Sequence, residues 1–188
     1  MTDTLASRRF AFIIASARPQ GNTESLARSA AATLPAGVEQ RWLHLAELPL
    51  PPFEDIRHAT GVYPPPEGNA VALVDATLWA TDLVIASPVY WYSLSATAKH
   101  YLDHWSGWMR VPGLDFRARM AGKRLWGITV TSDDDQDDEV SAPLVGTLRL
   151  TASYLGMEWR GMLLGHGNRP GDIAGDTAAF ERAKAFFD

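Results

Sequence analysis

Residues 10–23 read FAFIIASARPQGNT. Six apolar residues come first, and Ser16, Arg18, Gly21, Asn22 and Thr23 follow within a few positions. An Ala-rich, helix-like run then occupies residues 24–34. The reading is a buried strand, a polar loop and a helix start in immediate succession. The leading N–H groups of a helix have no partner within it, and the helix dipole puts partial positive charge there. An anion resting on those amides satisfies both. Ser16, Asn22 and Thr23 offer side-chain donors, Arg18 offers fixed charge, and Gly21 permits a tight turn or a close approach. The same residues also read as an ordinary strand-to-helix loop with Asn22 or Thr23 as N-cap. The stretch matches neither GxGxxG nor GxxxxGK[ST].

Outward from this stretch, strand-like and helix-like segments alternate to the end of the chain. Strands are expected at 10–15, 38–45, 82–87, 123–131 and 158–164, and helices at 24–34, 70–79, from 95 onward, 140–155 and 176–187. The runs 10–15 and 82–87 are continuously apolar, as in strands covered on both faces. Residues 46–69 form a long loop holding six of the twelve prolines, and loops of that kind are usually functional or mobile. The βα alternation predicts a doubly wound α/β architecture: five parallel strands with helices on both faces. Right-handed crossovers leave two plausible arrangements, the 2-1-3-4-5 order and a Rossmann half. No internal repeat or domain boundary appears, so residues 1–188 are expected to form one domain.

Composition limits the function classes. The chain has 188 residues and a formal net charge of −5, and residues 133–139, DDDQDDE, hold six of its 22 acids. Outside that run the charges nearly balance and no basic patch stands out, so a nucleic-acid partner is not expected. There are no cysteines, which removes disulfides, thiolate catalysis and Cys-ligated zinc. That fits a reducing compartment, and a cytoplasmic location is the expectation. Ser7-Arg8-Arg9 before an apolar run mimics a signal peptide, but the run is short and cleavage would remove the first core strand. No stretch approaches the ~20 apolar residues of a membrane span.

In an open doubly wound sheet, ligands sit at the carboxyl ends of the strands where the order reverses. In the 2-1-3-4-5 order that point lies between strands one and three. The 16–23 loop and the segment Pro88-Val89-Tyr90-Trp91-Tyr92-Ser93 are then expected to meet, with Ser132 and the residues after it alongside. One loop suits a phosphate, and the other offers flat aromatic surfaces. A phosphate joined to a planar ring describes a mononucleotide, and FMN is the evident candidate.

The pair ASARPQGNT and SPVYWYSLSATAKHYLDHW closely resembles the flavodoxin-like NAD(P)H-dependent FMN reductase and quinone reductase superfamily. Its members typically carry S-x-R-x-x-(G/S)-N-T after strand one and P-x-Y with a small polar residue after strand three. The segments LPLPPFE and Pro170-Gly171-Asp172-Ile173 look like family features too. The resemblance therefore spans nearly the whole chain and implies the 2-1-3-4-5 order. It implies that Ser16, Arg18, Gly21, Asn22 and Thr23 bind the FMN phosphate, and that Pro88, Val89, Tyr90, Trp91 and Ser93 line the ribityl chain and isoalloxazine. It implies NAD(P)H as co-substrate, a small-molecule electron acceptor, and a homodimer or higher homo-oligomer. The flavin would carry the hydride, Tyr90 and Trp91 would shape the site, and no catalytic side chain is required.

The sequence departs from the family after strand four, where many members have glycines and this chain has Ser132-Asp133-Asp134-Asp135. Facing the flavin, those acids would disfavour its anionic reduced form. Alternatively they cap the next helix and complement its dipole. Ser132 and Asp133 stand as candidate flavin contacts. His100 and His104 are four apart, but no third ligand or HExxH accompanies them, so a solvated helix face is expected and no metal. Ser87 and Ser93 lie outside any GxSxG elbow. His166 follows the last strand and reads as a loop residue rather than a substrate contact. Leu94, Trp105 and Trp108 form an apolar stripe suited to the core or a dimer face. The rival class is a flavodoxin-type electron carrier, which would show broad surface acidity rather than one acidic run.

Overall fold

A computed structural model describes residues 5–132 and 139–188. Its elements, in chain order, are β1 (Arg9–Ile14), α1 (Asn22–Ala31), β2 (Glu39–His44), α2 (Asn69–Trp79), β3 (Asp82–Ala86), α3 (Ala96–Trp108), α4 (Phe116–Met120), β4 (Arg124–Thr131), α5 (Ala142–Leu155), β5 (Glu158–His166) and α6 (Thr177–Ala183). Short 3-10 turns lie at Leu5–Ser7 and Asp172–Gly175. The strands form one five-stranded parallel sheet in the order β2-β1-β3-β4-β5. The expected architecture and order are both borne out.

Period-two alternation explains how apolar strands hold two helical layers. Phe10, Phe12 and Ile14 point to the face covered by α1 and α6, where they meet Leu26, Ala27, Ala179 and Phe187. Ala11 and Ile13 point to the other face, among Leu73, Ala98, Tyr101 and Trp105 of α2 and α3. Val84 and Ile85 divide between the same two layers. Burying each such side chain contributes about 1.5–3 kcal/mol. The stripe of Leu94, Trp105 and Trp108 is core.

One element escaped the sequence reading. Within residues 107–122, where no element is assigned from the sequence, Phe116 and Met120 sit four apart and are buried, making the short helix α4. Five residues are too few for a helical period to be read.

The carboxyl ends of the strands are held level by hydrogen bonds one residue beyond β1, β2, β3 and β5. Leu45 N–H donates to Ile14 O, Ala15 N–H to Ala86 O, Ser87 N–H to Ile128 O, and Gly167 N–H to Thr131 O, all at 2.9–3.0 Å. The loops after β1, β3, β4 and β5 therefore emerge side by side.

Candidate active site

A cleft of about 310 Å³ lies where those loops emerge. It is lined by Ser16, Arg18, Gly21, Asn22, Thr23, Pro88, Val89, Tyr90 and Ser132, together with Val130, Gly167 and Asn168. The 16–23 loop, the start of the 88–93 loop and the residue after β4 are thus brought together. Trp91 and Ser93 do not line the cleft, and Asp133 lies outside the described residues.

The turn into α1 is built from its own polar groups. Arg18 N–H donates to Ser16 Oγ at 3.2 Å, and Ser16 Oγ–H donates to Arg18 O at 3.0 Å. Gly21 is the N-cap, with no side-chain cap hydrogen bond, so the alternative reading with Asn22 or Thr23 as cap is not the arrangement seen. The leading amides of α1 are therefore left for a ligand. Gly21 has φ −72°, so its value lies in close approach rather than in a left-handed turn. A Cβ there would stand 3.2 Å from Ser16 Oγ and 3.3 Å from Arg18 O. Among the described residues no carboxylate pairs with Arg18, so its charge is available. This donor set fits an anionic group.

Asn22 does something the sequence did not show. Its Nδ2 donates to Gly167 O at 3.1 Å and to Arg169 O at 2.9 Å, while its Oδ1 accepts the Gly171 N–H at 2.9 Å. The side chain ties the loop after β5 against the phosphate loop, and what Asn22 retains for an anion is its backbone N–H. Asp172 folds the same loop by accepting the Arg169 N–H at 2.6 Å. This is how Gly167 and Asn168 reach the cleft. Their only sequence signal was position, in a glycine-rich loop at a carboxyl strand end. His166 stands beside them, its Nδ1 3.2 Å from Thr131 Oγ1.

The loop after β3 is anchored to β1. Ser95 Oγ–H donates to Ala15 O at 2.8 Å, and Ser95 N–H donates to Ser87 Oγ at 2.9 Å. Between these ties, Tyr90 and Ser93 exchange two backbone hydrogen bonds of 3.0 and 3.1 Å. Trp91 and Tyr92 form the tip of that two-residue turn, with φ of +50° and +64°. Both are left-handed, the conformation of a type I′ turn that Asn and Gly usually fill, at a cost of about 1–2 kcal/mol per residue. Trp91 is consequently held 93 % exposed beside the cleft, while Tyr90 forms its wall.

The histidine pair differs from its expectation. His100 Nε2 and His104 Nε2 lie 2.8 and 3.0 Å from the same acceptor, Pro51 O. The proline-rich loop folds over the two rings, so they are half-buried rather than fully solvated, and burial lowers the His104 pKa. A second cavity of about 440 Å³ opens between that loop and α3, lined mainly by prolines, Phe53, Tyr63 and Trp108. No group of three or more metal-ligating side chains occurs among the described residues.

Known proteins share this fold. The family model described as "Flavodoxin-like fold" matches residues 8–186. YwqN of Bacillus subtilis (strain 168), whose assigned name describes an NAD(P)H-dependent FMN-containing oxidoreductase, is 33% identical over 176 residues, covering 93% of this chain and 94% of that one. The solved Trp repressor binding protein of Bacillus subtilis superposes with a TM-score of 0.75 at 27% identity, covering 95% of this chain and 97% of its own. An NAD(P)H:quinone oxidoreductase from Methanothermobacter marburgensis shares the fold, with a TM-score of 0.74 at 14% identity over 96% of this chain and 94% of its own.

Proposed function

The chain belongs to the flavodoxin-like fold family, and from that premise we propose that it is an FMN-dependent NAD(P)H oxidoreductase serving a small acceptor such as a quinone, a free flavin or a nitro or azo compound. The observation that carries the reading is the meeting of the 16–23 loop with Pro88, Val89 and Tyr90 in one cleft at the carboxyl ends of β1 and β3. The identity to YwqN over nearly the whole chain supports it.

In this reading the leading amides of α1, with Ser16 and Thr23, hold the FMN phosphate, and Arg18 supplies the opposing charge. Pro88, Val89 and Tyr90 bound the ribityl chain and ring, with Ser132 lining the same cleft. When bound, the flavin would supply the hydride-transfer chemistry between a reduced nicotinamide and an acceptor. The protein's part is binding, orientation and exclusion of competing geometry, so no side chain need act as nucleophile. Trp91 and Tyr92, presented at the mouth, offer stacking surfaces to whichever planar partner enters. One stacking position used in turn by nicotinamide and acceptor implies ping-pong kinetics. A homo-oligomer is proposed on the resemblance to the reductases, and sedimentation equilibrium tests it.

The direct test is a visible absorption spectrum of FMN-loaded protein before and after anaerobic NADPH, repeated with NADH. Bleaching of a bound-flavin spectrum by either nucleotide is expected. Bound flavin that ignores both would favour the electron carrier, and absence of bound flavin would make the 16–23 loop an ordinary strand-to-helix connection.

A further inference from the structure

Glu24 lies in the first turn of α1, is 2 % exposed, and lines no part of the cleft. A buried carboxylate is unfavourable unless donors surround it. Here Oε2 accepts the Gln20 N–H at 2.9 Å. The other oxygen, Oε1, accepts Arg28 Nε–H at 2.9 Å and Nη2–H at 2.6 Å, and His44 Nε2 stands 3.1 Å from it. Gln20 has φ +52°, a left-handed conformation disfavoured for a residue with a side chain. Such a conformation persists only when its surroundings over-determine it. The Gln20 N–H bond to Glu24 is the contact that does so. Ser16 fixes the start of the 18–21 turn through Arg18, and Glu24 fixes its end. Arg28 offsets the carboxylate's charge, which would otherwise oppose an anion bound to the same helix start.

We infer that Glu24 is a positioning residue for the cofactor's phosphate. It holds the 18–21 turn in the shape that delivers Arg18 and the leading α1 amides to the cleft. The inference rests on the FMN reading above and adds a residue that reading does not use. Its signature is selectivity: only a phosphorylated flavin engages this turn, so riboflavin is the internal control.

The experiment measures FMN and riboflavin affinity by fluorescence quenching for the wild type, Glu24→Ala and Glu24→Gln, with thermal melts of each. Glu24→Ala is expected to weaken FMN about tenfold, the scale of one lost charge-assisted hydrogen bond, and to leave riboflavin unchanged. Glu24→Gln, whose amide oxygen can still accept the Gln20 N–H, should recover most of the FMN preference. Should the alanine variant not fold, Glu24→Asp keeps the charge beside Arg28 but shortens the reach to Gln20, and should lose the same preference. Equal FMN affinity in wild type and variant overturns the inference, as does a proportional loss of both flavins, which marks general packing. Wild-type protein that binds neither flavin overturns the FMN reading along with it, and is seen before any variant is made.

Discussion

Arg8 and Asp82 are 74 residues apart in sequence and form a buried ion pair at the amino end of the sheet, opposite the cleft. Arg8 Nε–H donates to Asp82 Oδ2 at 2.9 Å, and Arg8 Nη2–H donates to Oδ1. Trp126 Nε1–H and Thr81 Oγ1–H also donate to the carboxylate at 2.9 and 2.8 Å, Arg124 Nη1 lies 3.6 Å from Oδ2, and Arg8 Nη1–H reaches Phe187 O at 2.8 Å. The network ties the entry to β1, the start of β3, β4 and the C-terminal segment. Asp82→Asn leaves Arg8 buried with its charge uncompensated, which costs about 3–5 kcal/mol. A melting temperature lower by on the order of 10 °C is expected for a chain of this size. Flavin affinity below the transition should be unchanged, because the cleft is at the other end of the strands. A melt within two degrees of wild type, on calorimetry, would show that the network contributes little.

Arg18→Ala should weaken FMN binding far more than His104→Ala. Arg18 lines the cleft and no carboxylate among the described residues pairs with it, so its charge is free for a phosphate. His104 is held against Pro51 O at 3.0 Å under the proline-rich loop. Losing a charged hydrogen-bond partner costs about 1.5–3 kcal/mol, tenfold or more in affinity. The histidine variant should stay near the wild-type value in the same fluorescence titration. Equal effects would undermine the assignment of the phosphate loop.

Asn22→Ala should loosen the loop after β5. Three hydrogen bonds join Asn22 to Gly167, Arg169 and Gly171, and their loss leaves two carbonyls and one N–H to find water. Hydrogen exchange at residues 167–171 should accelerate, with a global loss of about 1–3 kcal/mol. Unchanged exchange in that segment would mean that Asp172 alone shapes it.

How much of this was legible in the sequence depended on the range of each interaction. The β1 strand and the loop after it declared themselves, because an apolar run followed by clustered donors is local information. Aromatic residues 90–92 were visible too, but not that Trp91 and Tyr92 would both be left-handed and project outward. Asn22 was recognisable as a polar residue at a helix start, yet its partners lie 145–149 residues later. Gly167 and Asn168 were missed because the reversal of strand order draws attention to β1 and β3, not to the edge strand β5. The histidine pair read as solvated because nothing local to α3 reveals that Pro51 folds back over it.

Gly107 gives a test of that covering loop. A Cβ at this position would lie 2.8 Å from Tyr63 Cδ1 and 3.0 Å from Cε1. Tyr63 in turn shapes the loop, its hydroxyl donating to Glu54 O and accepting the Ile56 N–H, each at 3.0 Å. Alanine in a helix interior normally gains up to about 1 kcal/mol over glycine, and displacing the ring offsets that gain. Gly107→Ala should therefore leave the melting temperature almost unchanged while making residues 51–67 more susceptible to limited proteolysis. Unaltered cleavage there would show that Tyr63 moves without releasing the loop.

Stability in acid should depend on Glu24. Burial acts to raise its pKa, but hydrogen bonds from His44, Arg28 and Gln20 together outweigh burial and hold it below the ordinary 4.5. A folded-state pKa below the unfolded one means the unfolded chain binds more protons in that interval, so stability falls as pH falls. The contribution is complete above the unfolded value and is lost as pH drops through the lowered one. Arg28, His44 and the Gln20 N–H are the groups facing the carboxylate. Glu24→Gln removes the titration, so its denaturation midpoint should vary less between pH 5 and pH 3 than that of wild type. Parallel acid limbs for the two proteins in urea titrations would place the acid sensitivity elsewhere.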